Sequence, residues 1–493
     1  MDGTELPTIF GMSAGAFVVL YFTLVLGGAC LASYYNQRSA FLLLFSLTLV
    51  SIVLGIIGGA GALKAVAVTA ALLAFAAMAS YGFRQFLITL AEGDVGAGIK
   101  QNMPVFVVVL LLFVGLLALS IARSWPLAEI SAAAIIVMLI MLAMTRDVAK
   151  ELRTAPLTAA FGMFVIFLYA IAAIFAPIIA PHGEAEVISQ AFAPADANML
   201  MGADQLGRDM FSRLIYGARN TISLAVIGTC LAFTLGALAG LLAAVRGGWF
   251  DQAMGRTADV IMSIPSLIFG LLMVSIFGSL ATNPAWLSMF DGNVGQADFW
   301  LSVALVSFFG LLVGLLVLAT IADNIAQWIA KGAIVAGAIF VFGLALASLF
   351  NSSEVILILV VSVIYSPRVY RLTRAVAGNV VVMDYIEAAR LRGERTWYLI
   401  RREILPNSTA PLVAEFGLEF CFVFLLISGL SFLGLGIQPP TADWGSMVKE
   451  NATLISFGEI IPLIPAAAIA LLTVAVNFVV DWMLFRSSGL KEH

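Results

Sequence analysis

Residues able to carry chemistry are few in this chain, and most familiar arrangements of them are missing. His182 and His493 are the only histidines and stand far apart, so no His-based metal site is expected. Cys30, Cys230 and Cys421 each fall inside an apolar run, where cysteine serves as a small core hydrophobe. No Gly-x-x-x-x-Gly-Lys-[Ser/Thr] sequence occurs, so the chain has no phosphate-cradling loop of its own. No catalytic residue and no metal ligand set is assigned. The acids in or beside apolar runs are Glu129, Asp259, Glu415, Glu419 and Asp481. Glu415 and Glu419 are four apart and share a helix face, the raw material of a proton relay. Most of the five lie near span ends, where plain solvation accounts for them. Two polar clusters remain, one at residues 202–213 and one at 384–407.

The elements that must position these clusters are membrane helices. Of 493 residues, 62% are hydrophobic and 11% are charged, against about 25% charged in soluble domains. A spanning helix needs ~20 mostly apolar residues. Such runs fall at about 9–33, 40–60, 64–83, 104–122, 126–145, 157–180, 220–245, 257–280, 299–322, 332–350, 354–373, 411–433 and 461–485. The expected fold is an all-α, polytopic transmembrane helical bundle of about thirteen spans. With the N-terminus outside and the C-terminus cytoplasmic, 19 of the 25 Lys and Arg residues fall on the inner side, as the positive-inside rule asks. No Lys or Arg precedes Arg38, so the first run lacks the basic start of a signal peptide and reads as a retained helix.

Within the spans, Gly11/Gly15, Gly236/Gly240 and Gly310/Gly314 are small pairs four apart that let helix backbones approach. Pro265 is expected to kink its span or mark its start. The polar stretch 181–216 faces outside, and 374–406 faces the cytoplasm. There, residues 384–392 read as a short helix with Asp384 as its cap and Glu387 reaching back. Gly393 stops that helix. Residues 394–404 read as a second helix that Pro406 ends. Ala388 and Ala389 together offer a two-alanine face over which another protein can come close to the backbone, oriented by Glu387 and the arginines. The plainer alternative is an amphipathic surface helix carrying positive-inside arginines.

The residue order Glu387-Ala388-Ala389, Gly393, then Ile404-Leu405-Pro406-Asn407 resembles the coupling motif of ABC importer permeases. The resemblance implies that Glu387, Ala388, Ala389 and Gly393 dock onto an ATP-binding subunit, with Leu405 and Pro406 anchoring the piece to the next span. Gly202, Asp204, Gly207, Arg208, Asp209, Ser212 and Arg213, followed by Gly217-Ala218-Arg219, look like the outer-loop signature of the dipeptide, oligopeptide and nickel class. Gly247-Gly248-Trp249 with Asp251, Ile264-Pro265-Ser266, and Ser431-Phe432-Leu433-Gly434 through Pro440 with Trp444-Gly445 fit the same pattern in order. The resemblance points to the second, C-type permease of a heterodimer. It implies two ATP-binding subunits holding ATP and Mg, an extracytoplasmic substrate-binding protein, a bacterial or archaeal cytoplasmic (inner) membrane, and no nucleic-acid partner. The chain itself would hold no cofactor. Its cargo would be peptides or a related small solute such as a nickel chelate.

The likeness covers about 156–280 and 354–486. Residues 1–150 add about five spans to the usual six-span core, and 281–353 insert about two more. The expected division is therefore an extra region at 1–150, a first core part at 151–280 with outer loop 181–216, the insertion at 281–353, and a second core part at 354–493 with coupling loop 374–406. Ile427-Ser428-Gly429 departs from relatives that often carry an acidic residue there. Two other readings stand beside this one: an ion-gradient-driven secondary transporter, resting on the intramembrane acids, and an accessory scaffold subunit, resting on the extra spans.

Overall fold

The computed structural model describes residues 80, 81, 83, 84, 87, 88, 91, 150, 152–196, 199–281, 287–290, 293–321, 352–457 and 461–487. The expected spans at 9–33, 40–60, 104–122, 126–145 and 332–350, and the Gly11/Gly15 pair, lie outside these residues. The described chain is helical, with α1 Leu157–Ile174, α2 Met210–Arg246, α3 Gly248–Ser263, α4 Ser266–Ala281, α5 Val294–Ile321, α6 Ser352–Val381, α7 Asp384–Leu391, α8 Leu405–Leu433, α9 Trp444–Asn451 and α10 Leu463–Ser487. Its only β pairing, among the described residues, is the pair of isolated bridges Val187–Arg208 and Ala203–Asp209.

Five of these helices are long and apolar enough to cross a membrane, and α3 with α4 form a sixth, bent candidate. The bend is 92° and falls at Ile264 and Pro265, where proline's missing N–H and ring end the first helix. α2 has 37 residues. At 1.5 Å per residue it reaches about 55 Å, well beyond the ~30 Å hydrocarbon layer. Both its ends therefore project, one toward residues 202–213 and the other toward 384–407.

α2 packs along α6, and glycines decide how closely. A Cβ on Gly236 would lie 2.4 Å from the Ser366 carbonyl oxygen, and one on Gly240 would lie 2.8 Å from the Tyr370 oxygen. The small pair thus brings two helix backbones together. Pro367 lies inside α6 and cannot donate to the Val363 carbonyl. The Ser366 hydroxyl donates to that oxygen instead, at 3.4 Å.

The chain divides into two compact units. In the smaller, Arg84 donates to the Ala155 carbonyl at 2.6 Å and the rings of Phe83 and Phe167 stack 4.8 Å apart. The larger carries α2 to α9 and both polar clusters.

Candidate functional site

The 384–407 segment is built on the ends of α2 and α6. α7 turns Ile386 and Ala389 inward, where they join Leu241 and Leu242 of α2, Ala377 of α6, and Leu399, Ile400 and Ile404 in one buried cluster. Glu387 and Ala388 point outward and are exposed. The expected two-alanine face is therefore not what this helix presents. Neighbouring residues on an α-helix stand about 100° apart, so one alanine faces out and the other packs in. An apolar fringe surrounds the outward face: Val382 is 79% exposed and Leu391 84%, and Met383, Tyr385 and Trp397 are also exposed.

Two further expectations change here. Asp384 is not the cap: Met383 holds that position with extended backbone and no side-chain hydrogen bond, and Asp384 is the first helical residue. An acid in the first turn still favours the helix N-terminus through its charge. Nor does Pro406 end a helix. Thr396–Tyr398 leads into a π-helical stretch, Leu399–Ile404, which runs straight into α8 with Pro406 in its first turn. A proline there gives up an N–H that the start of a helix can spare, and the widened π turn precedes it.

Gly393 does close α7, with φ of 80°, a left-handed conformation that glycine adopts without a Cβ penalty. Its N–H donates to Arg390 O at 2.9 Å. Arg390 donates to the Val245 carbonyl at the end of α2. Asn407 Nδ2 donates to the Tyr385 hydroxyl at 3.2 Å. Leu405 and Pro406 are exposed. The loop is thus fastened to α2, α6 and α8 by one face while the other stays open.

The 202–213 cluster is not a solvated surface. Asp204, Arg208, Asp209, Ser212 and Arg213 are all buried. Asp209 and Arg213 stand four apart at the start of α2 but do not pair with each other. Asp209 caps α2, accepting from the Phe211 and Ser212 amides and from the Ser212 hydroxyl. Arg213 turns instead to Asp204 at 3.3 Å and to Glu450 at 3.2 Å, and Arg208 binds the same two acids at 2.7 and 2.9 Å. Two guanidiniums and two carboxylates form a charge-balanced quartet, buried except for the partly exposed Glu450, the arrangement burial demands of charge. Gly202 and Gly207 take positive φ, and a Cβ at Gly207 would lie 2.0 Å from Ser189 O.

The quartet clamps the 202–213 loop to the segment after α8. The Thr221 hydroxyl donates to Asp443 at 2.8 Å, the Trp444 indole donates to Leu214 O at 2.9 Å, and the Ser446 amide donates to Asp443 at 2.9 Å. Burial pushes the Asp443 carboxyl up from its ordinary range, while the bonds from the Ser446 amide and the Thr221 hydroxyl pull it back. Asn220 and the Ala442 amide both donate to Glu184. Glu184, Glu450 and Thr221 had no local signal in the sequence, because their partners lie 36 to 258 residues away along the chain.

Among the acids weighed for a proton relay, Glu419 is fully buried and Glu415 partly so. Plain solvation therefore does not account for Glu419. Arg368 of α6 lies 3.5 Å from its carboxylate. Asp259 pairs with Arg371, and Asp251 with Arg374, joining α3 to α6. Among the described residues no group of three or more His, Cys, Asp or Glu residues could hold a metal ion.

Residues 232–487 match the family described as binding-protein-dependent transport system inner membrane component. The chain is 27% identical to the Di/tripeptide transport system permease protein DppC of Pseudomonas aeruginosa, over 65% of this chain and 84% of that one. It is 26% identical to the Glutathione transport system permease protein GsiD of Pectobacterium atrosepticum, over 65% and 83%. It is 27% identical to the Probable D,D-dipeptide transport system permease protein DdpC of Escherichia coli, over 67% and 86%.

Proposed function

The chain belongs to the family of binding-protein-dependent transport system inner membrane components, and from that premise we propose that it is the C-type permease of a heterodimeric ATP-driven importer for peptides. The observation that carries this reading is α7, seated on α2 and α6 by Ile386 and Ala389 and open to a partner at Glu387 and Ala388. Two ATP-binding subunits supply ATP and Mg chemistry, and one docks on that open face. Gly393 sets the bend behind α7, and Leu405 and Pro406 begin the helix that carries its movement into the membrane. A second permease completes the path. An extracytoplasmic binding protein delivers cargo near the clamp of Gly202, Asp204, Gly207, Arg208, Asp209, Ser212 and Arg213.

The coupling step is a population shift: ATP closes the two ATPases, and α7 moves α2, α6 and α8 between inward- and outward-open arrangements. About thirteen spans, an N-terminus outside and a cytoplasmic C-terminus go with this reading, with residues 1–150 and 281–353 as additions to a six-span core. Relatives named for di/tripeptide, D,D-dipeptide and glutathione transport support a peptide cargo. The family match favours this reading over an ion-driven transporter or a scaffold.

The test is purification of the chain from its own membranes in mild detergent, followed by reconstitution and uptake of Ala-Ala. An associated ATPase and uptake that requires ATP are expected. Uptake that survives without ATP and collapses with an ionophore, or an assembly without any ATPase, would sink the proposal.

A further inference from the structure

Arg368 stands near the middle of α6, about 24 Å along a 45 Å helix, and its side chain is 42% exposed. A guanidinium within an apolar spanning run rarely faces lipid; such charges face a water-filled path or a bundle interior. The side chain is held from two sides. Its guanidinium carbon lies 4.5 Å from the centre of the Phe422 ring and 5.5 Å from that of Tyr365, a cation–π seat that leaves the hydrogen-bonding edges free. Glu419, 1% exposed, is 3.5 Å from Arg368 Nε, beyond hydrogen-bond length. Neither carboxylate oxygen of Glu419 accepts a hydrogen bond from a described residue. Glu415, one turn away, shares its face.

A purely structural ion pair would close into direct, bidentate hydrogen bonds, because unsatisfied buried charge is costly. Between Arg368 and Glu419 no such bond closes: the pair stands at 3.5 Å, and Glu419 lies against Glu415 instead. We propose that Arg368, Glu419 and Glu415 form a transient binding site in the transport path for zwitterionic cargo, Arg368 taking a carboxylate and the glutamates an ammonium. The proposal rests on the importer reading above. A zwitterion enters by exchange: its carboxylate replaces Glu419 at Arg368, and the released glutamate accepts its ammonium group. Net charge in the low-dielectric interior is unchanged throughout, which avoids the cost of burying an uncompensated ion. Both contacts are re-formed within the protein when the cargo leaves, so the site holds cargo without trapping it.

The test is ATP-dependent uptake of Ala-Ala, Ala-Ala amide and N-acetyl-Ala-Ala by the reconstituted full complex carrying wild-type chain, R368Q, R368K or E419Q. Assembly with the ATPase is checked first by co-purification, which tests the importer reading separately. In assembled complexes, wild type is expected to favour Ala-Ala over each blocked peptide by tenfold or more. R368Q should bring the Ala-Ala to amide ratio toward one, with R368K intermediate. E419Q should bring the Ala-Ala to N-acetyl ratio toward one, and supplies the reading if R368Q fails to assemble. Ratios unchanged in the variants, all rates falling in proportion, or a wild-type complex indifferent to the blocked ends would each overturn the site and leave only a latch between α6 and α8.

Discussion

Arg213 and Glu450 meet at 3.2 Å across 237 residues of sequence. The contact ties the first turn of α2 to the end of α9, and Asp204 and Arg208 complete the charge balance. With no free charge left in the quartet, its members act as fasteners between the 202–213 loop and the segment behind α8. Removing one partner of a buried pair leaves the other charge uncompensated, at a cost of about 3–5 kcal/mol. Arg213→Met is accordingly expected to lower the melting temperature of the detergent-purified chain sharply. Arg213→Met with Glu450→Gln should recover part of the loss. A double variant no more stable than the single one would show that the pair is not the fastener.

The α2–α6 crossing makes a second expectation, with its own control. A methyl group at Gly236 meets the backbone oxygen of Ser366 and the Val369 Cβ at 2.4 and 2.6 Å, and neither can move without shifting a helix. Gly236→Ala should therefore destabilise by about 1–3 kcal/mol, the usual cost of overpacking. Gly378, in α6 with nothing within 4 Å of a built Cβ, should behave oppositely. Gly378→Ala removes backbone entropy from the unfolded chain and should stabilise by about 0.5–1 kcal/mol. Thermal melts of the two variants side by side decide the matter by their signs.

These contrasts mark what could be read from residue order. The Gly236/Gly240 pair was legible because four-residue spacing alone puts two small residues on one helix face. The bend at Pro265 was legible for a similarly local reason. Arg213 was not: local spacing offered Asp209, but that carboxylate is spent on the α2 cap, and the partner that wins lies 237 residues on. The outward turn of Ala388 and inward turn of Ala389 follow from helix geometry once α7 is docked. Which alanine faces which way depends on where Leu241, Leu242 and Ala377 sit. Arg368 had no local partner in the sequence, and only the packing of α6 on α8 brings it to Glu419.

The division of labour between the two alanines can be measured. Ala389 is fully buried in the cluster under α7, so Ala389→Leu should overpack it and cost about 1–3 kcal/mol. Ala388 is exposed, and Ala388→Asp should leave the stability of the isolated chain within about 0.5 kcal/mol of wild type. On the importer reading, that same variant should lose most of its co-purifying ATPase. An Ala388→Asp chain that retains its ATPase would remove the outward face of α7 from the docking surface.

The ion pairs between α3 and α6 give an expectation of the opposite size. Arg371 and Asp259 are paired, but their side chains are 53% and 57% exposed, so water and salt screen most of their attraction. An exposed pair contributes about 0.2–1 kcal/mol. A double-mutant cycle on Arg371→Gln and Asp259→Asn should return a coupling energy in that range, falling toward zero as salt rises from 0.05 to about 0.5 M. The buried Arg213–Glu450 pair, measured alongside, should keep its coupling over the same salt series because its surroundings exclude ions. If both pairs weaken equally with salt, the burial assigned to the Asp204, Arg208, Arg213 and Glu450 quartet does not hold in the folded protein.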